Sequence, residues 1–181
     1  MKDTWDYFLS LPVNDRTGKT IEVFIIRSGD FAEFGVWQGA SARGILSNMP
    51  LNVHLYLFDS FEGLPEDWEG KHEKGHFACP VPEFNDKRVH IIKGWFKDTL
   101  PNWEHEEPLS YVHIDCDLYS SVKTVLDNIG DKVTKDTVIL FDDYYNYKGW
   151  ENYSYKAFME FNRPFEYVGR GTRQAVVRLL E

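Results

Sequence analysis

The chain has 181 residues, 43% of them hydrophobic, and a formal net charge of −9 at pH 7. That length suits a single domain able to bury its own core, and the composition excludes a disordered chain. The acidic balance and the scattered basic residues argue against a nucleic-acid partner, because such binding relies on Lys and Arg to neutralise phosphates.

The opening MKDTWDYFLSLP lacks the basic flank and long apolar stretch of a signal peptide, and no later run spans a membrane. A cytoplasmic location is therefore expected. Asp3 to Leu11 reads as a short helix ended by Pro12, and Gly18 to Ser28 as a helix with Ile21, Phe24, Ile25 and Ile26 packed on a sheet. Gly29-Asp30 breaks the pattern.

Phe31 to Trp37 is an apolar strand that runs into the turn EFGVWQGAS, and Ala40 to Asn48 is the helix that follows. Glycines at Gly35 and Gly39 let the backbone turn tightly and approach a ligand, while N–H groups at the helix start face a carboxylate. The spacing is not the dinucleotide G-x-G-x-x-G; it is E-x-G-x-x-x-G, which suits the amino-acid end of S-adenosylmethionine. Glu33, Gly35, Val36, Gly39 and Ser41 are the candidates here, with Glu33 able to pair with an ammonium. The plain alternative is an ordinary strand-to-helix turn.

Val53 to Asp59 is the next strand. An acid at its end, about 20 residues after a glycine turn, commonly accepts hydrogen bonds from ribose hydroxyls. Asp59 and Ser60 are the candidates, against the alternative that Asp59 caps the turn from Ser60 to Gly63. Leu64 to Asp86, broken by Pro65, Pro80 and Pro82, is irregular. The 64–87 segment is expected as a lid on the acceptor side, with Trp68, His72, His76 and Phe77, together with the later Tyr145, as candidate acceptor contacts. Cys79 in this stretch and Cys116 later do not form a metal-type pair, and reduced thiols are expected.

Val89 to Ile92 is a strand followed by Gly94-Trp95-Phe96, where Gly94 and Trp95 could admit an adenine ring or simply pack in the core. Leu109 to Asp115 is a buried strand closed by HIDCDLY, Ser120 to Val133 a helix, and Thr137 to Phe141 a strand closed by FDDY. If these strands are neighbours, Asp115, Asp117, Asp142 and Asp143 converge. Like charges so close raise one another's pKa, and Lys123 and Lys148 lie beyond the strand ends, so little compensation is expected from nearby sequence. A hard divalent cation with oxygen ligands resolves the conflict, and Mg²⁺ is typical. The plain alternative is helix capping by Asp117 and Asp143. Glu151 to Phe161 is a helix, and Phe165 to Val168 with Gln174 to Leu180 form a closing hairpin.

Apolar strands alternating with helices indicate an α/β fold, a mostly parallel sheet covered on both faces with ligands at the carboxyl ends of the strands. Taken in order, EFGVWQGAS, LFDSFEGLP, KGWFKDTLP, HIDCDLYSS and FDDY resemble the macrocin-type O-methyltransferases, which methylate sugar hydroxyls on macrolides and related antibiotics. The resemblance covers about residues 29 to 161. It implies a single Rossmann-like class I methyltransferase domain over 1–181, with a seven-stranded sheet and an antiparallel last strand. It implies S-adenosylmethionine contacts at Glu33, Gly35, Gly39, Ser41 and Asp59, Mg²⁺ ligands at Asp115, Asp142 and Asp143, and Asp117 as general base. Asp115 and Tyr119 join the expected cofactor contacts. Spacing alone does not separate Asp115 from Asp117. Two departures bear on the acceptor pocket: only about 30 residues precede the first strand, and the 64–86 stretch is short and proline-broken. The expected partner is a small hydroxylated acceptor, and a homodimer that completes the pocket is a further hypothesis. The alternatives are a D-x-D metal-dependent glycosyltransferase, which would bind a nucleotide-sugar instead, and a non-catalytic S-adenosylmethionine binder, which would turn over no acceptor.

Overall fold

The computed structural model describes residues 2–13 and 29–181. The predicted helix Gly18 to Ser28 lies outside the described residues. Seven strands form one sheet: β1 (Asp30–Phe34), β2 (Leu55–Asp59), β3 (Val89–Lys93), β4 (Leu109–Ile114), β5 (Val133–Phe141), β6 (Phe165–Arg170) and β7 (Ala175–Leu179). Their spatial order is β3-β2-β1-β4-β5-β7-β6. β1 to β5 pair in parallel, whereas β7 runs antiparallel to both β5 and β6. The mostly parallel α/β sheet with its antiparallel closing strand is therefore as expected.

The central strands are apolar because both faces are covered. β1 is buried at every position, and β4 at all but Ser110. On one face, α2 (Ala40–Asn48) lays Ala42 and Ile45 against Phe31, Leu55, Leu57, Leu140 and Val176. On the other face, α4 (Tyr119–Ile129) and α5 (Ser154–Phe161) bury Val122, Val125, Leu126, Ile129, Ala157 and Phe158 against Phe34, Val112, Ile139 and Phe141. The four apolar residues of α4 recur at helical spacing, the pattern of an amphipathic helix.

α1 (Trp5–Ser10) starts where the Thr4 hydroxyl accepts from the Tyr7 N–H at 3.3 Å, and it drops Phe8 into the same core. Two short elements are not predicted, α3 (Phe96–Thr99) and the 3₁₀ turn Leu100–Asn102 behind it; the helix expected from Glu151 divides into a 3₁₀ turn, Trp150–Asn152, and α5. The 64–86 stretch carries neither helix nor strand, only an isolated bridge between Trp68 and His72. No helix among the described residues is long and apolar enough to cross a membrane.

Candidate active site

The strand order reverses between β1 and β4, the position where open α/β sheets bind ligands at their carboxyl edge. There a cavity of about 370 Å³ opens, within the usual size of a small-molecule site. Gly35, Asp59, Ser60, Gly94, Trp95 and Phe96 line one part of it, and Asp115, Asp117, Asp142 and Asp143 another.

The turn after β1 is built by hydrogen bonds. Asp59 Oδ2 accepts from the Val36 and Trp37 N–H groups, both at 2.8 Å, and Oδ1 accepts from the Phe61 N–H at 2.7 Å. Asp59 thus locks the glycine turn and caps its own turn at once, and it still faces the cavity. Gly35 stands at φ 90°, and a Cβ there would sit 1.8 Å from the Asp115 carbonyl oxygen. The glycine is required because the tips of β1 and β4 touch at this point. Gly39 precedes α2 without a side-chain cap, so the helix start keeps N–H groups free for an anionic ligand.

Glu33 lies beneath this turn, fully buried and off the cavity wall. Its Oε1 accepts from the Ser41 hydroxyl and meets His113 Nδ1 at 2.8 Å across β1 and β4. Burial works against a charge on His113, but the hydrogen bond and charge of Glu33 outweigh it and raise the imidazole to about 9. Val36 is buried and offers its N–H to Asp59, while the Tyr119 hydroxyl turns away to donate to Glu160 at 2.6 Å.

The acidic tips of β4 and β5 do converge. One carboxylate oxygen each from Asp115, Asp117 and Asp143 lie within 4.8 Å of one another. Burial raises all three carboxyls, and the charges of their neighbours raise them further: Asp142 at Asp115 and Asp143, Asp115 and Asp143 at Asp117. Asp117 sits at φ 60°, a left-handed conformation uncommon outside glycine and enriched at active sites. The donor set is all oxygen, dense and half-buried, and it fits a hard divalent cation. Asp142 belongs to the same wall but has its Oδ1 held by the Gln174 amide at 3.0 Å.

The structure brings in two cations that chain order hid. Arg173, from the turn between β6 and β7, lies 3.7 Å from Asp143 Oδ1. Lys71, from the 64–86 stretch, reaches the cavity with its Nζ 3.5 Å from the ring centres of both Trp68 and Tyr147. Compensating charge thus arrives from loops distant in sequence rather than from nearby sequence. Among the candidate acceptor contacts, Trp68, His72 and Phe77 line the cavity. His76 stacks on His72, and Tyr145 is buried with its hydroxyl donating to the Gly171 carbonyl at 2.6 Å.

Comparison with known proteins agrees with this geometry. A family described as a methyltransferase domain matches residues 32–144. An 8-demethyl-8-(2,3-dimethoxy-α-L-rhamnosyl)-tetracenomycin-C 4'-O-methyltransferase of Streptomyces olivaceus is 30% identical over 141 residues, covering 64% of this chain and 53% of that protein. A demethyldecarbamoylnovobiocin O-methyltransferase of Streptomyces niveus is 30% identical over 139 residues, with the same coverage of each. The chain thus spans about half the length of the curated relatives it matches. The solved structure of the calicheamicin methyltransferase CalS11 superposes with a TM-score of 0.74 at 20% identity, covering 90% of this chain and 77% of that one. That of the O-methyltransferase NovP gives 0.70 at 23%, covering 91% and 79%.

Proposed function

The chain belongs to the methyltransferase-domain family, and from that premise we propose that it is an O-methyltransferase using S-adenosylmethionine, assisted by Mg²⁺, on a hydroxyl of a small sugar-like acceptor. The observation that carries the proposal is one cavity in which the β1 glycine turn and the carboxylates of β4 and β5 face each other. The activities of the Streptomyces relatives favour a sugar or antibiotic hydroxyl as acceptor. Family membership sets the glycosyltransferase alternative aside. Cys79 and Cys116 are both free thiols, which suits a reducing, cytoplasmic setting.

The Gly35 turn and the uncapped start of α2 would receive the amino-acid end of S-adenosylmethionine, with Asp59 and Ser60 towards its ribose and Gly94 and Trp95 towards its base. Bound there, S-adenosylmethionine supplies a methyl group activated by a sulfonium and leaves as a thioether. Asp115, Asp142 and Asp143 would hold Mg²⁺, which supplies positive charge that lowers the pKa of an acceptor hydroxyl. Asp117 takes the hydroxyl proton as the oxygen forms its bond to the methyl carbon. The rigid β-tips keep donor and acceptor aligned, the main protein contribution to a displacement of this kind.

The test is methyl transfer from radiolabelled S-adenosylmethionine to a panel of hydroxylated glycosides, in wild type and Asp117→Asn. Turnover should drop at least about 100-fold in the variant while cofactor affinity stays within about twofold. Parent-like turnover would remove Asp117 from the role of base. If wild type binds cofactor but methylates no member of a broad panel, the non-catalytic binder is the better reading.

A further inference from the structure

The lid is a built loop with a closed neck. The Leu64 N–H donates to the His76 carbonyl and the Gly75 N–H to the Leu64 carbonyl, both at 2.9 Å. Gly63, at φ 82°, lets the neck close: a Cβ there would stand 2.3 Å from the carbonyl oxygens of Gly75 and His76. At the loop tip the Trp68 N–H donates to the His72 carbonyl at 2.8 Å and the Lys71 N–H to the Trp68 carbonyl at 2.9 Å. The Ser120 hydroxyl, at the start of α4, ties the loop down by donating to Glu66. Trp68 packs with Leu64 and Leu118 beneath.

This tip delivers Lys71 into the cavity with its ammonium between the faces of Trp68 and Tyr147. The rings hold the charge from two sides but offer its N–H groups no acceptor. Lys71 Nζ is buried without a hydrogen-bond partner, and so is the indole Nε1 of Trp68 on the same turn. Buried polar groups are almost always paired, so two orphan donors on one cavity wall require an explanation. Burial lowers the Lys71 amine; the charge of Asp143 opposes this, that of Arg173 adds to it, and that of Asp117 opposes it.

We propose that Lys71 is an acceptor-contact residue that donates hydrogen bonds to a second oxygen of the acceptor while Asp117 takes the proton of the first. The substrate class this selects is a polyhydroxylated ring, with one hydroxyl against Asp117 and another oxygen against the wall that carries Trp68 and Lys71. The inference rests on the methyltransferase reading for the role of Asp117 and adds the residue that chooses which hydroxyls fit.

The experiment titrates methyl α-L-rhamnopyranoside, a pyranoside with contiguous hydroxyls, into the full chain preloaded with S-adenosylhomocysteine and MgCl₂, following tryptophan fluorescence. Lys71→Met keeps the length and apolar stem between the rings and removes the donors. Wild type should bind saturably, and the variant about tenfold or more weaker, with S-adenosylhomocysteine affinity within about twofold and a melting temperature unchanged or higher. A variant that binds the glycoside like wild type overturns the proposal. So does weaker binding with a lowered melting temperature, which would make Lys71 a structural residue. Absence of glycoside binding by wild type that still binds S-adenosylhomocysteine overturns the Lys71 contact and leaves the methyltransferase reading standing. Failure to bind S-adenosylhomocysteine at all overturns that reading itself.

Discussion

At the scale of single residues, the carboxylates of the β4 and β5 tips are the most strained charges in the molecule. Burial and mutual repulsion raise Asp115, Asp117 and Asp143 above their ordinary value of 3.8. A group whose folded pKa is raised stabilises the fold fully below its unfolded value, and that stability is lost as pH rises through the folded value. In EDTA the melting temperature should therefore fall as pH rises from about 5 to 8.5. A divalent cation binds the ionised carboxylates, so the gain from MgCl₂ should be small at the acid end and larger at the alkaline end. A gain of equal size at both ends, or none at the alkaline end, would contradict the placing of a cation here. The four aspartates were legible in the sequence because apolar runs with acidic ends mark strand tips in a parallel sheet. Lys71 and Arg173 were not, because each reaches the cavity from a loop whose path only the tertiary fold fixes. Asp59 was legible as an acid at a strand end facing the cavity, but its hold on the glycine turn was not, since backbone N–H partners cannot be read from residue types.

At the scale of elements, the sheet follows from its apolar runs, and every predicted strand lies within a few residues of an observed one. α2 was legible in full from its glycine start and apolar spacing. α3 was not: it has four residues and no side-chain cap, and Trp95 and Phe96 look equally like ring-stacking or core residues until their neighbours are known. Phe96 does both, lining the cavity and standing edge-on to Phe34 at 6.0 Å. α1 is short and depends on packing. Phe8 is fully buried, 4.9 Å from Tyr145 and 4.6 Å from Tyr167 between ring centres, and Trp5 stacks on Trp150 at 5.0 Å. Phe8→Ala should cost about 3–5 kcal/mol of unfolding free energy by the removal of an aromatic core side chain. Denaturant titration checks this, and a loss under about 1 kcal/mol would show that α1 is a loosely attached surface element.

At the scale of the whole molecule, the topology accounts for the chemistry. The strand reversal between β1 and β4 opens a crevice, and the closing hairpin β6–β7 returns to it. Arg173 and Gln174 of that hairpin steady Asp143 and Asp142, while the Arg173 carbonyl accepts from the Tyr144 and Tyr145 N–H groups. Trp68, Lys71, His72 and Phe77 line the same crevice from the loop after β2. The β1 glycine turn, the acidic tips and this loop thus share one cavity. The most direct measurement of the central claim is a calorimetric titration of S-adenosylhomocysteine into the purified chain in MgCl₂. The account predicts saturable binding of one molecule per chain. No heat of binding from a folded protein at high ligand concentration would contradict it.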